Sequence, residues 1–352
     1  MSGLRRSERL ALALIVALTA LAGVAHYSGW PSIPSFALAT AALAGLAWVV
    51  SFATEQLGEH FGAAVTGILQ ASIGNLPELF VVIFALDKGE LVVAQTAIVG
   101  SILANALLVL GLTIVVGARR AADGVMRFSR RLPNDTATLL QVTVFIVVLV
   151  AISANAHDPA SHHLQTISVV GAAVMLLVYL AWVFPYLRSD VQPAAERSPP
   201  RLGTGTTVVL LGAAGTAAAF VSEWFVAALR PAISLLGLSQ AFAGLVIVAI
   251  AGNAVEHTAG IVLAYKGRAD LAISVIKNSV AQIAAFLYPL LVLISLALAT
   301  SLTFALAPVF VGALLLTALA VWQITGDGEA LAFEGWALVA LYVILATLAQ
   351  YE

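Results

Sequence analysis

Two long apolar stretches of this 352-residue chain carry the same short pattern, GNLPE at residues 74–78 and GNAVE at residues 252–256. A serine follows each glutamate at one and the same spacing, Ser101 after Glu78 and Ser279 after Glu256. A glycine next to an amide and a carboxylate puts ion-binding groups where a helix breaks easily. Ionisable residues at hydrocarbon depth are typical of functional sites, so the repeat predicts one cation site divided between two related halves.

The composition places the chain in a membrane. Its residues are 61% hydrophobic and 10% charged, whereas about 25% of residues are charged in soluble domains. We therefore expect an all-α polytopic membrane protein. The net charge of −2 indicates no nucleic-acid partner, and the absence of cysteine excludes disulfides, thiolate metal ligands and thiol catalysis.

Eleven apolar stretches are long enough to cross about 30 Å of hydrocarbon, which takes about 20 helical residues. No small-residue cleavage site precedes Trp30-Pro31, so we interpret the first stretch as a span and not as a signal peptide. The predicted spans are residues 10–26, 35–54, 61–86, 91–117, 135–154, 164–187, 205–228, 239–265, 270–298, 303–323 and 331–350.

The basic residues predict the orientation, because Lys and Arg in short loops are retained on the cytoplasmic side. With the N-terminus in the cytoplasm, thirteen of the 16 basic residues fall in cytoplasmic segments and only Lys88 and Arg230 in outside loops. Eleven spans then place the C-terminus outside. The short loops rich in Ala, Gly and Arg, without an organellar targeting segment, favour the cytoplasmic membrane of a prokaryote.

A polar segment with three prolines divides the chain into two similar halves. The predicted organisation is an N-terminal helix and outside loop (1–34), a first five-helix repeat (35–187), a cytoplasmic linker (188–204) and a second five-helix repeat (205–352). Because five is odd, the halves enter the membrane from opposite sides. Inverted repeats place the substrate near the bilayer midplane in many secondary transporters.

The paired glutamates suit a divalent cation. Calcium takes six to eight oxygens at about 2.3–2.6 Å, and Glu78 and Glu256 supply at most four. Backbone carbonyls around residues 71–75 and 249–253 are candidates for the others, since Gly74 and Gly252 loosen the helix there. The amides of Asn75 and Asn253, or water, are further candidates.

The same two carboxylates also predict proton coupling. After the metal leaves, two like charges remain close together in a poorly solvated cavity, and protons then bind where the metal had been. Competition of Ca²⁺ and H⁺ for one set of oxygens couples their movement without a separate proton site. We expect Glu78 and Glu256 to titrate as a coupled pair.

The motifs around both copies resemble a known family. The segments ATEQLGE (53–59), GNLPEL (74–79) and GSILANALLVLG (100–111), with GNAVEH (252–257) and SVAQI (279–283), are similar to the cation/proton antiporters of the calcium/cation exchanger superfamily. The resemblance implies eleven helices, one extra N-terminal helix before two inverted five-helix repeats. It also implies Ca²⁺/H⁺ exchange at the paired glutamates, with Ca²⁺ as the transported ligand and no cofactor.

Several further polar residues are candidates for supporting roles. Small polar side chains in spans either serve an ion site or join helices by hydrogen bonds, and both interpretations apply to those near the motifs: Ser101, Asn105, Ser279, Gln282 and His257. Acidic residues before the motif helices would attract cations into a vestibule: Glu55, Glu59 and Glu223. We expect the lipid bilayer, Ca²⁺ and H⁺ to be the partners of the chain. The sequence does not decide whether the chain forms a homo-oligomer.

Lys277 departs from the family pattern, which usually has glycine before the serine where this chain has Lys277-Asn278. A cation at membrane depth is costly and indicates a cavity or a partner. One interpretation is that Lys277 snorkels at the cytoplasmic end of its span or pairs with an acid there. The other is a tethered cation that competes with the substrate.

Three other functions compete with exchange of calcium for protons. A sodium/calcium exchanger shares the inverted architecture, but that branch resembles a Thr-Ser-type break where this chain has Gly-Asn. A membrane-embedded metal hydrolase needs clustered ligands such as H-E-x-x-H, which the sequence lacks, so we expect no enzyme. A passive channel also places polar residues at depth, but two inverted broken helices favour alternating access.

Overall fold

The computed structural model describes residues 4–61, 74–129, 131–156, 158–188 and 201–352, and within them the chain is almost entirely helical. The helices are α1 (Arg6–Tyr27), α2 (Ser32–Phe61), α3 (Leu76–Asp87), α4 (Leu91–Arg120), α5 (Arg131–Ala156), α6 (Leu164–Arg188), α7 (Thr204–Leu236), α8 (Gln240–Gly252), α9 (Ala254–Tyr265), α10 (Ala269–Ala297), α11 (Pro308–Thr325) and α12 (Ala332–Ala349). Two short strands, β1 (Val125–Arg127) and β2 (Glu329–Leu331), pair antiparallel.

The helices confirm the multi-pass membrane architecture. Nine of those described are long and apolar enough to cross a membrane, and α8 with α9, bent by 63° at their junction, would form a tenth span. The predicted span at 61–86 falls partly on residues 62–73, which lie outside the described residues. The count of eleven therefore stays a prediction.

Helix positions in the two halves follow the spacing of the motifs. Helices α3 and α9 are 12 residues each. They begin at Leu76 and Ala254, which are separated by the same offset as Gly74 and Gly252. Each half continues into a long helix, α4 or α10, that begins at this offset and widens into a π-helical turn, at Ala104–Val109 and at Ile283–Leu287. π-Helical turns occur frequently at functional sites.

The helix breaks have local causes. Asn253, between α8 and α9, has φ −109° and ψ 14°, outside the helical range, and Asn75 before α3 has φ −97° and ψ 20°. Pro77 stands in the first turn of α3, where its missing N–H costs no hydrogen bond. Glu78 and Glu256 thus lie in the first turn of their helices, where the helix dipole favours negative charge.

The most buried helix is α4, while α1, α6 and α12 expose most of their apolar side chains, as expected of lipid-facing helices. Helices α2 and α7, of 30 and 33 residues, pack along each other. Helices α4 and α12 approach so closely that a Cβ atom at Gly111 would lie 2.5 Å from the Gly335 carbonyl oxygen. Small residues permit such close helix packing in membranes.

The two halves are joined at both ends of the bundle. In the two-stranded sheet, Arg127 of β1 stands opposite Glu329 of β2, and their side chains form an exposed ion pair of 3.3 Å. At the other end, the Phe304 amide donates to the Ser168 hydroxyl over 3.1 Å. These contacts hold the two halves together on either side of the helix breaks.

Candidate cation site

The first glutamate is deeply buried. Glu78 is 1% exposed, and neither of its carboxylate oxygens has a hydrogen-bond partner among the described residues. The side chains of Ser101 and Asn253 lie beside the carboxyl group. The Cβ atom of Glu78 is 3.7 Å from the point where a side chain at Gly252 would begin, so this acid packs against the helix break of the other half.

The second glutamate has a different environment. Glu256 is partly accessible and lines a small cavity, and its carboxylate accepts a hydrogen bond from the Ser279 hydroxyl of α10. The carboxyl groups of Glu78 and Glu256 are close enough to interact electrostatically. The structure therefore brings together the two acids that the sequence repeat singled out.

Asn253 connects the halves. Its amide nitrogen donates to the Ser101 hydroxyl of α4 and to the Ala249 carbonyl of α8, both over 3.0 Å. One turn along α4, the Asn105 amide donates to the Ser101 carbonyl over 3.1 Å. These bonds hold the α8–α9 break against the centre of α4.

The cavity between the two breaks is small. Its volume is about 10 Å³, near the minimum that holds one water molecule. Four of the predicted residues line it together with Glu256, namely Gly74, Asn75, Gly252 and Asn253. A cavity of this size suits a single ion better than an organic substrate.

The uncommitted atoms around the cavity are mostly oxygens. Among the described residues, hydrogen-bond partners are lacking for both carboxylate oxygens of Glu78, the amide oxygen of Asn253 and the hydroxyl of Thr54, all of them buried. Carboxylate, amide and hydroxyl oxygens are the ligands that hard cations prefer. The arrangement can therefore bind a cation such as Ca²⁺ or, when that is absent, protons on the carboxylates.

Comparison with known proteins gives the family. The sequence model of the sodium/calcium exchanger protein family matches residues 31–186 and 206–350 of the chain. The chain belongs to this family. The two matched segments follow the two predicted halves, and the membership confirms the expected resemblance to the calcium/cation exchanger superfamily.

Relatives of this exchanger family member match it along nearly their whole length. The Ca²⁺/H⁺ antiporter ChaA of Bacillus subtilis is 30% identical over 348 residues, which cover 96% of this chain and 98% of the relative. A Ca²⁺/H⁺ antiporter of Synechocystis is 31% identical over 350 residues, 93% of each chain. The solved structure of native YfkE is similar with a TM-score of 0.82 at 28% identity, and the match covers 97% of this chain and all of that one.

Two polar residues of α2 that the sequence analysis did not single out belong, with Ala47 of the same helix, to the cavity of this exchanger. Ser51 and Thr54 line it beside Asn75 and Asn253. The repeat does not reveal them, because the positions at the motif offset in the second half hold Leu229 and Ala232. The available signal was their place within or next to the segment 53–59, which carries the family resemblance.

Other predicted residues are not in the cavity lining. Gln282 is half-buried on α10, and His257 is buried, its Nε2 atom without a partner in the described part of the chain. Of the predicted entry residues, Glu55 is exposed and Glu223 half-buried. The side chain of Glu59 lies outside the described residues.

Lys277 is buried on the face of α10 that packs against α5. The Ser129 amide donates to Asp270 over 2.6 Å, and Thr143 donates to the Ala284 carbonyl over 3.3 Å. Both pairs have the same separation along the chain, so α5 and α10 run in the same direction. The residue midway between Asp270 and Ala284 is Lys277. Residues seven apart share a helix face, so Lys277 faces α5.

The burial of Lys277 bears on the interpretation that its side chain snorkels to solvent. The side chain is 2% exposed, and its Nζ atom has no hydrogen-bond partner among the residues that the structure describes. The interpretation that Lys277 snorkels to solvent is therefore wrong. Ser279, two residues on, lies on another face of α10, where it contacts Glu256.

Proposed function

We propose that this chain is a secondary active antiporter that exchanges Ca²⁺ for H⁺ across a membrane by alternating access. The proposal is supported by the family and by two relatives named as Ca²⁺/H⁺ antiporters that match at least nine-tenths of the chain. The observation that carries it is the approach of two acids, one from each half, at the helix breaks: Glu256 lines the small cavity, and the buried Glu78 packs against Gly252 of its lining.

In this proposal Ca²⁺ and protons compete for Glu78 and Glu256. A Ca²⁺ ion between two ionised carboxylates is neutralised, and Asn75, Asn253 and the carbonyls of Gly74 and Gly252 complete its oxygen shell. Without the metal, the two like charges repel each other in a place that water barely reaches. Uptake of protons by the carboxylates relieves that repulsion, so the empty carrier returns protonated.

Supporting residues hold this site in place. Ser279 orients the Glu256 carboxylate, and Ser101 with Asn105 fixes Asn253. We propose the remaining candidates for peripheral roles, Gln282 and His257 beside the site, and Glu55, Glu59 and Glu223 along the path of ion entry. Exposed and half-buried carboxylates raise the local concentration of cations.

The proposed architecture is one N-terminal helix followed by two inverted five-helix repeats, eleven spans in all. The equal offsets of α3 from α9 and of α4 from α10 support the repeat. An N-terminus in the cytoplasm and a C-terminus outside follow from the distribution of basic residues. The bacterial relatives support a prokaryotic cytoplasmic membrane.

A sodium/calcium exchanger is the second candidate, because the matched family is described by that activity. The two candidates differ in the gradient that drives Ca²⁺. Purified protein in liposomes is given either a pH gradient or a Na⁺ gradient, and Ca²⁺ uptake is followed by a fluorescent indicator.

The proposal expects uptake with the pH gradient and none above background with Na⁺ alone. Uptake driven only by Na⁺ would support the second candidate instead. Protein-free liposomes and a protonophore added at the end of each run control for leakage.

A further inference from the structure

The hydroxyl of Thr54 on α2 lacks the intrahelical hydrogen bond that several other threonines of this structure make. A threonine within a helix usually donates its hydroxyl hydrogen to the carbonyl four residues earlier. Thr40, Thr96 and Thr143 all do so, over 2.7 to 3.0 Å. Thr54 is 2% exposed, and its hydroxyl has no partner among the described residues.

The hydroxyl of Thr54 stands at the candidate cation site. Thr54 lines the cavity with Asn75, Asn253 and Glu256. Thr19 and Thr113 also have buried hydroxyls without a described partner, but neither lines this cavity. A buried polar group without a partner costs free energy unless something else satisfies it, and here the cavity supplies the place for it.

The other half of the molecule has a similar hydroxyl. Ser222-Glu223 of α7 repeats the hydroxyl–acid order of Thr54-Glu55 of α2, although their offset of 168 residues is ten shorter than the 178 residues that separate the motifs. Ser222 is fully buried and donates to the Pro77 carbonyl of α3 at 3.4 Å. The counterpart of Pro77 in the second motif is Val255, which lines the cavity with Thr54. A hydroxyl of α7 thus contacts the residue before Glu78, and the Thr54 hydroxyl of α2 belongs to the cavity that the residue before Glu256 also lines.

We propose that Thr54 contributes its hydroxyl oxygen to the transported cation and is thereby a binding and specificity-determining residue of the site. The inference rests on the proposed function. Glu78 and Glu256 supply at most four oxygens, so a neutral oxygen from α2 helps to reach the six to eight that Ca²⁺ prefers. Helix α2 is not part of either broken helix. A contact between Thr54 and the bound cation would therefore couple the position of α2 to whether the site holds Ca²⁺.

The contact predicts selectivity by size. Ca²⁺ accepts six to eight ligands in flexible geometry, whereas smaller divalent ions prefer six in a regular octahedron. Loss of one oxygen therefore weakens Ca²⁺ binding more than binding of Mn²⁺. The hydroxyl, and not the bulk of the side chain, carries the effect.

The test uses the isosteric variant Thr54→Val, with Thr54→Ser to restore the hydroxyl. Ca²⁺ and Mn²⁺ binding to the purified full chain is measured by calorimetry, and the KM for Ca²⁺ in liposomes under a pH gradient. Thr54→Val should raise the Kd for Ca²⁺ roughly tenfold, on the scale by which ligand number tunes oxygen sites, and change the Kd for Mn²⁺ less. Thr54→Ser should stay within about twofold of the wild type.

Thermal unfolding without metal separates binding from structure. Valine removes a buried hydroxyl that has no described partner, so Thr54→Val should be at least as stable as the wild type. Thr40→Val is the matched control on the same helix, because the Thr40 hydroxyl is bonded within α2; it should leave the Kd for Ca²⁺ unchanged.

Equal Ca²⁺ affinity in Thr54→Val and the wild type would overturn the assignment and leave Ca²⁺/H⁺ exchange untouched. If Thr54→Ser loses as much Ca²⁺ affinity as Thr54→Val, the assignment is also overturned, because serine keeps the hydroxyl that the proposal holds responsible. A wild type that binds and exchanges no Ca²⁺ would overturn the proposed function and this inference together.

Discussion

The two copies of the G-N-x-x-E motif have similar sequences but different surroundings. Glu78 is sealed at 1% exposure without a described hydrogen-bond partner, whereas Glu256 is partly accessible and bonded to Ser279. Likewise the amide nitrogen of Asn253 makes two hydrogen bonds, and that of Asn75 makes none with the described residues. The second half of the site is therefore held by more hydrogen bonds among the described residues than the first.

The proposed inverted repeats of an alternating-access antiporter would account for this inequality. If two related halves exchange roles, a single structure holds each half in a different role. Because a sequence repeat treats the copies as equal, only the structure could reveal which acid is buried and which is reachable. Variants in matched positions of the two halves test whether the difference matters.

The largest effect is expected from the glutamates themselves. Glu78→Gln and Glu256→Gln keep the shape and remove one charge from the site. Removing one partner of a buried charge contact costs roughly 2–5 kcal/mol, so Ca²⁺ uptake in liposomes should fall at least about 30-fold in each variant.

Both variants should reach the membrane in normal amounts, which separates a binding role from a structural one. Glu352→Gln, at the exposed end of the chain, is the matched control and should transport normally. Wild-type uptake by either site variant would remove that glutamate from the site.

A smaller and unequal effect is expected from the two serines. Ser279 donates to Glu256, and hydrogen bonds to charged groups contribute roughly 1.5–3 kcal/mol. Ser101 instead accepts from Asn253 and has no bond of normal geometry to Glu78. Ser279→Ala should therefore raise the KM for Ca²⁺ about tenfold or more, and Ser101→Ala by less. Equal effects would mean that both acids are held alike and would weaken the comparison between the halves.

Lys277 belongs to only one half, since the matching position in the first half holds Val99. A buried ammonium group without a described partner lowers stability, so Lys277→Met should raise the thermal midpoint of the detergent-solubilised protein. Because Lys277 faces α5 and not the cavity, the KM for Ca²⁺ should change by less than about twofold. A large change in that KM would show that the lysine acts on the site.

The smallest effect is expected outside the membrane, at the sheet that joins the halves. Arg127 donates to Asp123 over 2.6 Å, and this bond, helped by the Val125 amide, holds the pKa of the Asp123 carboxyl below its usual range. The contribution of Asp123 to stability is then present at neutral pH and is lost as the pH falls through the lowered pKa. Both side chains are exposed, so screening by solvent keeps that contribution small.

Arg127→Ala should return the Asp123 pKa toward its ordinary value, which an NMR titration with labelled aspartate measures. Transport should stay at the wild-type level. A pKa that does not move would show that the Val125 amide, and not Arg127, determines it.

Much of the site was predictable because the repeat marks it. The spacing of Glu78, Ser101, Glu256 and Ser279 requires no structure, and predicted spans such as 91–117 and 270–298 agree closely with α4 and α10. Thr54 was not predictable, because it has no counterpart at the motif offset and its role depends on how α2 packs. The direction of Lys277 depends on the parallel register of α5 and α10, which apolar composition alone does not encode.

The central claim is that Ca²⁺ and protons occupy the same carboxylates in turn. It is tested most directly by calorimetric titration of the purified wild-type chain with Ca²⁺ in two buffers of different ionisation heat, repeated from about pH 6 to about pH 8, because metal binding to protonated ligands releases protons. The account predicts that each Ca²⁺ displaces protons, up to two, and that fewer are displaced as the pH rises. Binding heats that agree between the buffers throughout this range, with no proton released, would contradict it.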